Sequence, residues 1–515
     1  MKKDKETKNY SKYLIILAIL LSLLLLLLIL VKVWQPNIYT FRDVRDVKDT
    51  NITAEQNLSI LKCKTTKVID VCKIHCMPTG EDLMMARIAW KYIETNFNKK
   101  TGLFNAAYKY PSAATWDWAN AMYALLAAKK FNIISAKKYE NMMNKFLTAM
   151  QKLPLFNNEL PNKAYNTNSA KMVDYGNKEK EDGIGWSAAD LARFLSSLNL
   201  VEQCEPTLAP EVEKLLLRFN YCRTFSIEGD LYGGIFTKGK LRIVHEALTG
   251  YEEYLARGYN LWKFTGKEAR RYKFVKEVDV YGIKIPTDTR KFYSNFIESE
   301  PFWYLGFEYG IDDNESGRYI HNIYKVQEER YKRTGQLTAV TEDNIDRDPY
   351  FLFNTIYTDD EPWKTINQEG EDYNEFRTVS TKAAIGMHFL FDTPYSKKVF
   401  NYVKHNYDPK KGFYAGKYEK MPGANKVLTL NTNSIILEAM LAKSMGRPLQ
   451  SLRELDNRGI YDYYRNHINN FRCLPSKKDM LVLEPYNPNI PNSLSSYKIQ
   501  NSITPIQEKG KNEIH

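Results

Sequence analysis

The sequence lacks the short motifs that mark several enzyme classes. It has no G-x-S-x-G nucleophile elbow, no H-E-x-x-H zinc motif, no phosphate-binding loop and no dinucleotide fingerprint. Only seven histidines occur among its 515 residues, and they are scattered along the chain. A Ser–His hydrolase or a metal hydrolase therefore has little support, and we expect no cofactor and no catalytic metal.

Signals for nucleic-acid binding are missing as well. The formal net charge is +12, but the chain has no Arg-rich run, no zinc-finger spacing and no RNA-binding aromatic signature. A basic excess of this kind suits an anionic lipid or an acidic polymer equally well. We therefore expect no nucleic-acid partner.

Sustained strand alternation and heptad repeats are also missing. From about residue 82 onward, apolar residues recur at spacings of three and four, which predicts about a dozen helices of modest length. Loops rich in Gly, Asn, Asp and Pro separate these helices. Successive short helical hairpins predict an all-α fold in which helix pairs close into a ring, with polar loops gathered at one end.

One long apolar run stands near the N-terminus. Residues 13–31 contain no charged side chain, and the run is long enough to cross a bilayer as a helix. The arm at 1–12 carries five lysines and two acids, which keeps it in the cytoplasm and places the rest of the chain outside. A cleaved signal peptide is the alternative, but no small-residue cleavage site follows. We predict a single-pass anchor at 13–33 in the cytoplasmic membrane, with the lipid bilayer as a partner.

Composition divides the remainder of the chain into three parts. A polar stalk is predicted at 34–80, a helical domain at 81–448 and an irregular tail at 449–515.

The six cysteines all lie on the predicted exported side. An even number in an oxidising compartment permits disulfides. We expect Cys204 to pair with Cys222, and other pairs to form within the 63–76 cluster. The C-K-I-H-C stretch of that cluster does not have the spacing of a haem-binding motif.

Carboxylates interleaved with aromatic residues are the most suggestive feature of the loops and helix starts. Glycoside cleavage needs one carboxyl to protonate the leaving oxygen and another to activate water or attack the sugar. Aromatic faces hold the sugar ring. The segments concerned are TWDWAN, EDGIGWSAADLARFL, HEALTGYEEY, TAVTEDNIDRDPY and TIYTDDEPW. The candidate residues in them are Trp116, Asp117, Trp186, Asp190, Glu246, Tyr251, Glu252, Glu342, Asp343 and Trp363.

These residues also have structural alternatives. Asp117 lies near a helix start, where the helix dipole favours an acid. Ser187 and Asp190 have the spacing of a capping box, and Trp186 just before them suits a hydrophobic staple. The acidic loop at 342–348 suits calcium binding or simple solvation.

Seven blocks of the sequence resemble, in order, the bacterial family called domain of unknown function 3131. The blocks are WSAADLARFLSSL, GYEEYLARGYNLW, SEPFWYLGFEYG, QEERYKRTGQLTAVTEDNIDRDPYFLFNTIY, STKAAIGMHFLF, GFYAGKYE and LNTNSIILEAMLAKSMG. The match runs from about 80 to 448. The resemblance implies a six-hairpin α/α toroid similar to glucoamylase-like and β-glucan-active glycoside hydrolases. It also implies a place in envelope or exopolysaccharide machinery.

The same resemblance points to particular acids. Carried over position by position, the acidic positions of the family fall on Asp117, Asp190, Glu246, Glu252, Glu342 and Asp343. The charged stretch KEKED before Trp186 departs from the family pattern and could alter one wall of a cleft.

Together these features predict a membrane-anchored, extracytoplasmic glycoside hydrolase acting on an envelope glucan or exopolysaccharide. An inverting acid/base mechanism is expected by analogy with toroid glycosidases, with the two carboxyls about 6.5–9.5 Å apart. Asp117 or Glu252 is the expected first partner, and Glu342 or Asp343 the second. The predicted substrate-binding residues are Trp116, Trp186, Asp190, Glu246, Tyr251 and Trp363.

Three other functions remain open at this point. A non-catalytic glycan-binding or scaffold protein would keep the aromatic residues but lack a pair of carboxyls with raised pKa values. A polysaccharide lyase would need a Tyr or His base and basic residues around it. A terpene-cyclase-like protein would carry an Asp-rich magnesium motif and no anchor.

Overall fold

The structure is a computed structural model that describes residues 72–225, 230–264, 270–290, 295–310 and 314–445. The predicted basic arm, the predicted membrane helix at 13–33, most of the stalk and all of the tail at 449–515 lie outside these residues. Among the described residues, no helix is both long enough and apolar enough to cross a membrane.

Eleven α-helices form within the described residues. They are α1 (Gly80–Thr95), α2 (Thr115–Lys130), α3 (Ala136–Met150), α4 (Ala188–Cys204), α5 (Ala209–Leu216), α6 (Tyr251–Leu261), α7 (Glu300–Tyr304), α8 (Asn314–Thr334), α9 (Thr381–Phe391), α10 (Pro394–Val403) and α11 (Leu430–Ser444). A π-helical turn, Leu305–Tyr309, continues α7, and short 3₁₀ turns occur at Pro206–Leu208, Tyr221–Arg223 and Asn374–Phe376.

Six of these helices close into an inner ring. Helices α2, α4, α6, α7, α9 and α11 pack each against the next in that order, and α11 packs against α2. Helices α1, α3, α5, α8 and α10 pack around the outside of the ring. Contacts between residues at the starts of different inner helices show that their N-termini share one end of the ring. The described helices thus form a ring, but the six predicted helix pairs are not all present, because no outer helix lies between α6 and α7 in the described residues.

Burial separates the two layers of helices. The inner helix α4 buries 15 of its 17 residues, because it has neighbours on every side. The outer helix α3 buries a single stripe of side chains at spacings of three and four. These residues are Tyr139, Met142, Met143, Phe146, Leu147 and Met150.

The prediction of an all-α fold is wrong, because eighteen short strands lie between the described helices. They are β1 (Ser112–Ala113), β2 (Leu155–Phe156), β3 (Leu160–Pro161), β4 (Ala164–Asn166), β5 (Met172–Val173), β6 (Tyr232–Thr237), β7 (Lys240–His245), β8 (Val275–Val280), β9 (Ile283–Asp288), β10 (Glu342–Asn344), β11 (Phe351–Asn354), β12 (Tyr357–Thr358), β13 (Glu361–Pro362), β14 (Thr365–Ile366), β15 (Thr378–Ser380), β16 (Tyr407–Asp408), β17 (Gly412–Tyr418) and β18 (Ala424–Leu428).

All the strand pairs are antiparallel. The sheets are β1-β4-β5, β10-β11-β14 and β15-β17-β16 with β18 beside β17, and the hairpins are β2-β3, β6-β7, β8-β9 and β12-β13. Between α6 and α7 the described residues form no helix, and the β8-β9 hairpin lies in that stretch of the chain. The connections that looked like plain loops in the sequence therefore hold ordered sheets.

The predicted pairing of Cys204 with Cys222 is also wrong. Cys204, at the end of α4, forms a disulfide with Cys72, so Cys72 is not paired within the 63–76 cluster. The backbone amides of His75 and Cys76 donate hydrogen bonds to the Ser444 carbonyl at the end of α11. Residues 72–76, which were assigned to the stalk, are therefore attached to the ring at the C-terminal ends of its inner helices.

Candidate active site

The N-terminal end of the inner ring collects polar side chains from all six inner helices. The first turns contribute Trp116 and Asp117 from α2, Asp190 from α4, Tyr251 and Glu252 from α6, Glu300 from α7, Lys382 from α9 and Asn431 from α11. The positive ends of the helix dipoles converge there and favour carboxylates. A concentration of acids at this end follows from the direction of the helices.

Four acids surround one buried lysine at this end, and we call Glu298, Glu300, Glu342, Asp343 and Lys382 the acid cluster. The Lys382 ammonium donates to Glu300 Oε2 in a short ion pair, with both side chains buried. The described cluster therefore contains one positively charged group and four carboxyl groups.

Glu300 is held on both of its oxygens. The Thr341 hydroxyl donates to Glu300 Oε2 at 3.0 Å, and the Asn431 amide donates to Glu300 Oε1 at 3.1 Å. With Lys382 as the third donor, Glu300 is fixed in place by three hydrogen bonds.

The other three acids are less completely bonded. The Tyr251 hydroxyl donates to Glu298 Oε1 at 2.6 Å, and the Ser380 hydroxyl donates to Asp343 Oδ1 at 3.2 Å. In contrast, Glu298 Oε2, Glu342 Oε2 and Asp343 Oδ2 are buried and have no hydrogen-bond partner. Buried acceptors without donors are rare in folded proteins, and at a site they indicate a ligand or a proton.

A small sheet places two of these acids. Strand β10 carries Glu342 and Asp343, which lie opposite Phe353 and Leu352 of β11. Both phenylalanine and leucine are buried, so the strand is fixed from behind by packing. Ser380, which binds Asp343, is also the N-cap of α9 and so fixes the acid relative to Lys382.

Burial and crowding raise the pKa values of the acids in the cluster. Burial and then Glu300 raise the pKa of Glu298 to about 8. Burial and then Glu298 raise the pKa of Glu342 well above its usual range, and burial does the same for Asp343 against the opposing effect of Lys382. Burial and crowding therefore favour the protonated form within the acid cluster.

The cluster has some of the geometry of a metal site, but we assign no metal to it. Glu298, Glu300 and Glu342 offer one oxygen each within 4.8 Å of one another. The Lys382 ammonium already lies beside Glu300, however, and a second cation there would be repelled.

Asp117 lies beside the acid cluster and differs from its members in exposure. One of its oxygens accepts a hydrogen bond from the Ala114 amide at 2.9 Å, which caps α2. Its side chain is partly exposed. Burial raises the pKa of Asp117 to about 6, while the Ala114 amide and the nearby Lys382 oppose that rise. Asp117 is therefore both a helix cap and a carboxyl that titrates near neutral pH.

Aromatic rings adjoin these carboxyls. Trp116 is partly buried and meets Tyr251 and Tyr304 edge-on, with ring centroids 6.0 and 6.1 Å apart. The guanidinium of Arg193 lies 3.7 Å from the centroid of the Tyr304 ring, beneath this group. Trp116 and Tyr251 thus stand next to the acid cluster, where an aromatic face can support a sugar ring.

A second pair of acids lies on the other side of Asp117. Ser187 caps α4 through the Asp190 amide at 2.9 Å, and Glu246 Oε2 accepts from the amides of Ala188 and Ala189. Burial, then Glu246 and then Asp117, raise the pKa of Asp190 well above its usual range. The predicted capping role at Ser187 is present, and Asp190 remains within electrostatic reach of Asp117.

The sequence matches the family model described as "Protein of unknown function (DUF3131)" over residues 84–446. That range covers most of the chain. The protein belongs to the DUF3131 family. No curated protein sequence matches it significantly.

Solved structures similar to this DUF3131 chain include glucoamylase-like proteins and endo-β-1,2-glucanases. A glucoamylase-like protein from Bacteroides caccae is 12% identical, with a TM-score of 0.56 and coverage of 74% of this chain and 98% of the other. The endo-β-1,2-glucanase from Chitinophaga pinensis, solved with sophorotriose and glucose, is 12% identical, with a TM-score of 0.52 and coverage of 75% and 98%. The endo-β-1,2-glucanase from Talaromyces funiculosus, solved with sophorose, is 11% identical, with a TM-score of 0.52 and coverage of 76% and 90%. At these identities the likeness shows the fold.

Not every residue predicted for the site of the DUF3131 chain lies at the acid cluster. Glu252 is hydrogen-bonded to His245 at 2.6 Å and ion-paired with Arg290 at 2.7 Å. Burial raises its pKa, but these two partners outweigh burial and hold the pKa below its usual value. Glu252 therefore belongs to a separate group of hydrogen-bonded and ion-paired side chains, in which its ionised form is favoured.

The two remaining tryptophans of the predicted site are packed in other places. Trp186 is fully buried, and its indole nitrogen donates to the Tyr232 carbonyl at 3.1 Å. Trp363 is buried near the Arg330 guanidinium, 5.0 Å from its ring centroid. Neither ring contacts the acid cluster in the described structure.

Three members of the acid cluster were missed by sequence reasoning. Glu298 and Glu300 stand in the stretch IESEPFW, whose Pro301 marks a helix start. Two acids flanking a serine just before that helix start were the available signal. Lys382 stands in STKAAIG and had no signal of its own, because its importance comes from acids that are distant in sequence.

Proposed function

We propose that this DUF3131 protein is a glycoside hydrolase that cleaves a glucan at the N-terminal end of its helical ring. The observation that carries the proposal is the contrast between two carboxyls that both interact with Lys382. Glu342 is buried in the acid cluster with its pKa well above the usual range, whereas Asp117 is partly exposed with a pKa of about 6. Carboxyls whose pKa values are pushed apart are suited to serve as acid and base.

In the proposed reaction Glu342 is the general acid. It gives its proton to the glycosidic oxygen as the C–O bond breaks, and Asp117 takes a proton from the water that attacks the anomeric carbon. The products are a new reducing end and the released sugar, with one water consumed. Proton return from Asp117 to Glu342 through solvent restores the starting state. We propose inversion at the anomeric carbon, by analogy with other toroid glycosidases.

Aromatic and carboxylate groups beside the pair suit a sugar chain. Trp116 and Tyr251 offer ring faces and edges next to the acid cluster. Asp190 and Glu246 offer carboxylates on the other side of Asp117. The similar solved structures include enzymes named as β-1,2-glucanases, one of them bound to sophorotriose. Linear β-1,2-glucan is accordingly the first substrate to test, followed by α-glucans and exopolysaccharides.

The structure favours hydrolysis over the two rival functions. A lyase needs a phenolate or neutral imidazole base, but the Tyr251 hydroxyl is buried against Glu298 and its pKa lies well above the usual value. A scaffold has no need of carboxyls with raised pKa values, which cost stability. An extracytoplasmic location is part of the proposal, and the Cys72–Cys204 disulfide suits such an oxidising compartment.

The test is hydrolysis by the purified full-length protein. The protein is incubated with linear β-1,2-glucan, α-1,4-glucan and a panel of bacterial exopolysaccharides, and new reducing ends are counted. Glu342→Gln is run beside the wild type, and proton NMR of the first product gives its anomeric form. We expect cleavage of a glucan by the wild type and none by Glu342→Gln. Binding of a polymer without cleavage would overturn the proposal in favour of a scaffold.

A further inference from the structure

Two carboxyls of the acid cluster present buried oxygens without donors. Glu298 Oε2 and Glu342 Oε2 have no hydrogen-bond partner, and both side chains are almost fully buried. One oxygen of each residue lies within 4.8 Å of the other. Leaving two such acceptors unsatisfied is costly, so a donor between them would stabilise the fold.

The neighbouring donors are already committed to other acceptors. Tyr251 of α6 donates to the other oxygen of Glu298. Lys382 of α9 donates to Glu300 of α7. Asp343 of β10 accepts from Ser380. No side chain that faces the pair in the described structure supplies the missing donor.

The negative charge of the acid cluster also calls for a proton between Glu298 and Glu342. If every carboxyl of the acid cluster were ionised, four negative charges would surround the single positive charge of Lys382. At the short separations of a buried site, that repulsion exceeds anything that a surface pair experiences. A proton placed between two of the carboxyls removes one charge and supplies the missing donor at once.

We propose that Glu298 and Glu342 share one proton in the folded protein, and that Glu298 is a positioning residue that keeps Glu342 in its acid form. The second half of this statement rests on the proposed function, whereas the shared proton does not. The pair then titrates as a unit instead of as two separate groups. Burial and crowding favour protonation at both residues, which is the direction that a shared proton requires.

Proton counting tests the shared proton without any substrate. Protons bound at pH 7 are measured by potentiometric titration of the native protein and of the protein in guanidinium chloride. The variants are Glu298→Gln, Glu342→Gln and the double variant. We expect each single variant to take up about one proton fewer on folding than the wild type, and the double variant also about one fewer. One proton held jointly is lost once, whichever partner is removed.

Several outcomes would overturn the shared proton. A loss of two protons in the double variant would mean two independent carboxylic acids, and no loss in the single variants would mean none. A change in the wild-type count on adding Ca²⁺ or EDTA would mean that a cation lies between the carboxyls. Glu419→Gln is the control, because this buried glutamate is bonded to Arg330 away from the acid cluster and is expected to leave the count unchanged.

A second variant covers a failure of Glu298→Gln to fold. Tyr251→Phe removes the hydroxyl that stabilises ionised Glu298, so the pair should hold its proton to higher pH. We expect the native titration step of the pair to move upward in Tyr251→Phe. No movement, or a downward shift, contradicts the assignment.

The pH dependence of glucan cleavage tests the positioning role. In Glu298→Gln the amide donates to Glu342 and removes a like charge, so the pKa of Glu342 falls. Activity should then be lost at lower pH than in the wild type, with a fall of about tenfold at pH 8 and little change at pH 5. If the proton count holds but no glucan is cleaved, the proposed function fails alone. If the wild type cleaves glucan but Glu298→Gln changes neither the pH profile of cleavage nor the number of bound protons, the inference is refuted and the proposed function stands.

Discussion

At the scale of single residues, the neighbours of a glutamate determine its chemistry in this protein. Glu252 and Glu342 are both buried at the same end of the ring. Glu252 meets His245 and Arg290, and its pKa falls below the usual value, whereas Glu342 meets other acids and its pKa rises. Both are glutamates in acidic, aromatic segments of the sequence, so their opposite environments come entirely from residues distant along the chain.

Asp117 is the residue whose loss should most directly remove activity without removing the fold. Asp117→Asn keeps an oxygen that can accept from the Ala114 amide, so the cap of α2 is retained. The amide cannot act as a base, and we expect kcat to fall about 10²–10⁴-fold. Initial rates of reducing-end release, with circular dichroism as the check on folding, measure this effect.

The same carboxyl sets the acid side of the pH profile. A base works when ionised, so kcat/KM should rise with pH through about 6, the pKa of Asp117, before falling as Glu342 loses its proton. Asp82→Asn, at the start of the outer helix α1, is the matched control and should retain the wild-type profile. A profile that is flat between pH 5 and 7 in the wild type would remove Asp117 from the base role.

Part of the candidate site could be predicted from the sequence because local patterns mark it. Asp117, Tyr251, Glu342 and Asp343 stand in segments where acids and aromatic residues alternate near helix starts. Lys382 could not be found in this way, because its neighbourhood is apolar in sequence and acidic only in space.

At the scale of elements, both helix starts and short strands position the side chains of the site. The first turns of the inner helices bring Glu300 and Lys382 together, while β10 places Glu342 and Asp343 near Lys382. A helix fixes the direction of a side chain through its own backbone, whereas a three-residue strand needs support from a partner. The burial of Leu352 and Phe353 on β11 supplies that support.

The helices were predictable from apolar spacing, but the hairpins were not recognised. Strands β6 and β7 are joined by Lys238 and Gly239 with φ of 50° and 72°, and β8 and β9 by Tyr281 and Gly282 with φ of 60° and 83°. Two-residue turns with positive φ at both positions are type I′ hairpin turns. The usual Asn-Gly or Asp-Gly signal is absent here, so the turns resembled ordinary loop sequence.

Gly282 provides a test of that turn. A Cβ at this position would meet no atom within 4 Å, so Gly282→Ala changes the backbone preference and nothing else. With φ at 83°, alanine should destabilise the hairpin by about 1 kcal/mol. Hydrogen exchange in a peptide spanning 275–288 should become faster. Gly282→Asn, which tolerates positive φ better, should fall between alanine and the wild type, and equal exchange in all three would contradict the turn assignment.

At the scale of the whole molecule, the closed ring separates the site from the point where residues 72–76 join it. The carboxyls lie at the N-terminal ends of the inner helices, and the Cys72–Cys204 disulfide lies at the C-terminal end of α4. Changes at one end should therefore affect stability without altering the chemistry at the other.

Removing this disulfide tests that separation. Its cysteines are 132 residues apart in sequence, and closing a loop of that size stabilises a fold by about 2–5 kcal/mol. We expect Cys72→Ala/Cys204→Ala to lower the unfolding temperature in a calorimetric scan while glucan cleavage at 25 °C stays at the wild-type level. A loss of activity without a change in unfolding temperature would mean that the two ends of the ring are coupled.

One charged residue, Arg193, connects most of the inner helices to one another. Arg193 of α4 bonds to Asn120 of α2 at 2.9 and 2.7 Å and to Glu438 of α11 at 2.9 Å. It also makes short hydrogen bonds to Tyr254 of α6 and to Glu308 in the π-helical turn after α7. One guanidinium therefore links five of the six inner segments, and all of its ion-pair partners are fully buried.

Removing one partner of a buried ion pair costs free energy, whereas replacing the whole pair with apolar residues is often neutral. Comparing these two changes shows whether Arg193 positions the inner helices or only balances charge. Arg193→Met leaves two glutamates buried without their cation, and we expect the free energy of unfolding to fall by about 3–5 kcal/mol. Adding Glu308→Leu and Glu438→Leu removes the unpaired charges and should recover most of that loss in urea unfolding. If the triple variant is stable and cleaves glucan, Arg193 contributes little beyond charge balance. If it is stable but inactive, the guanidinium fixes the relative positions of the inner helices on which Trp116 and the acid cluster depend.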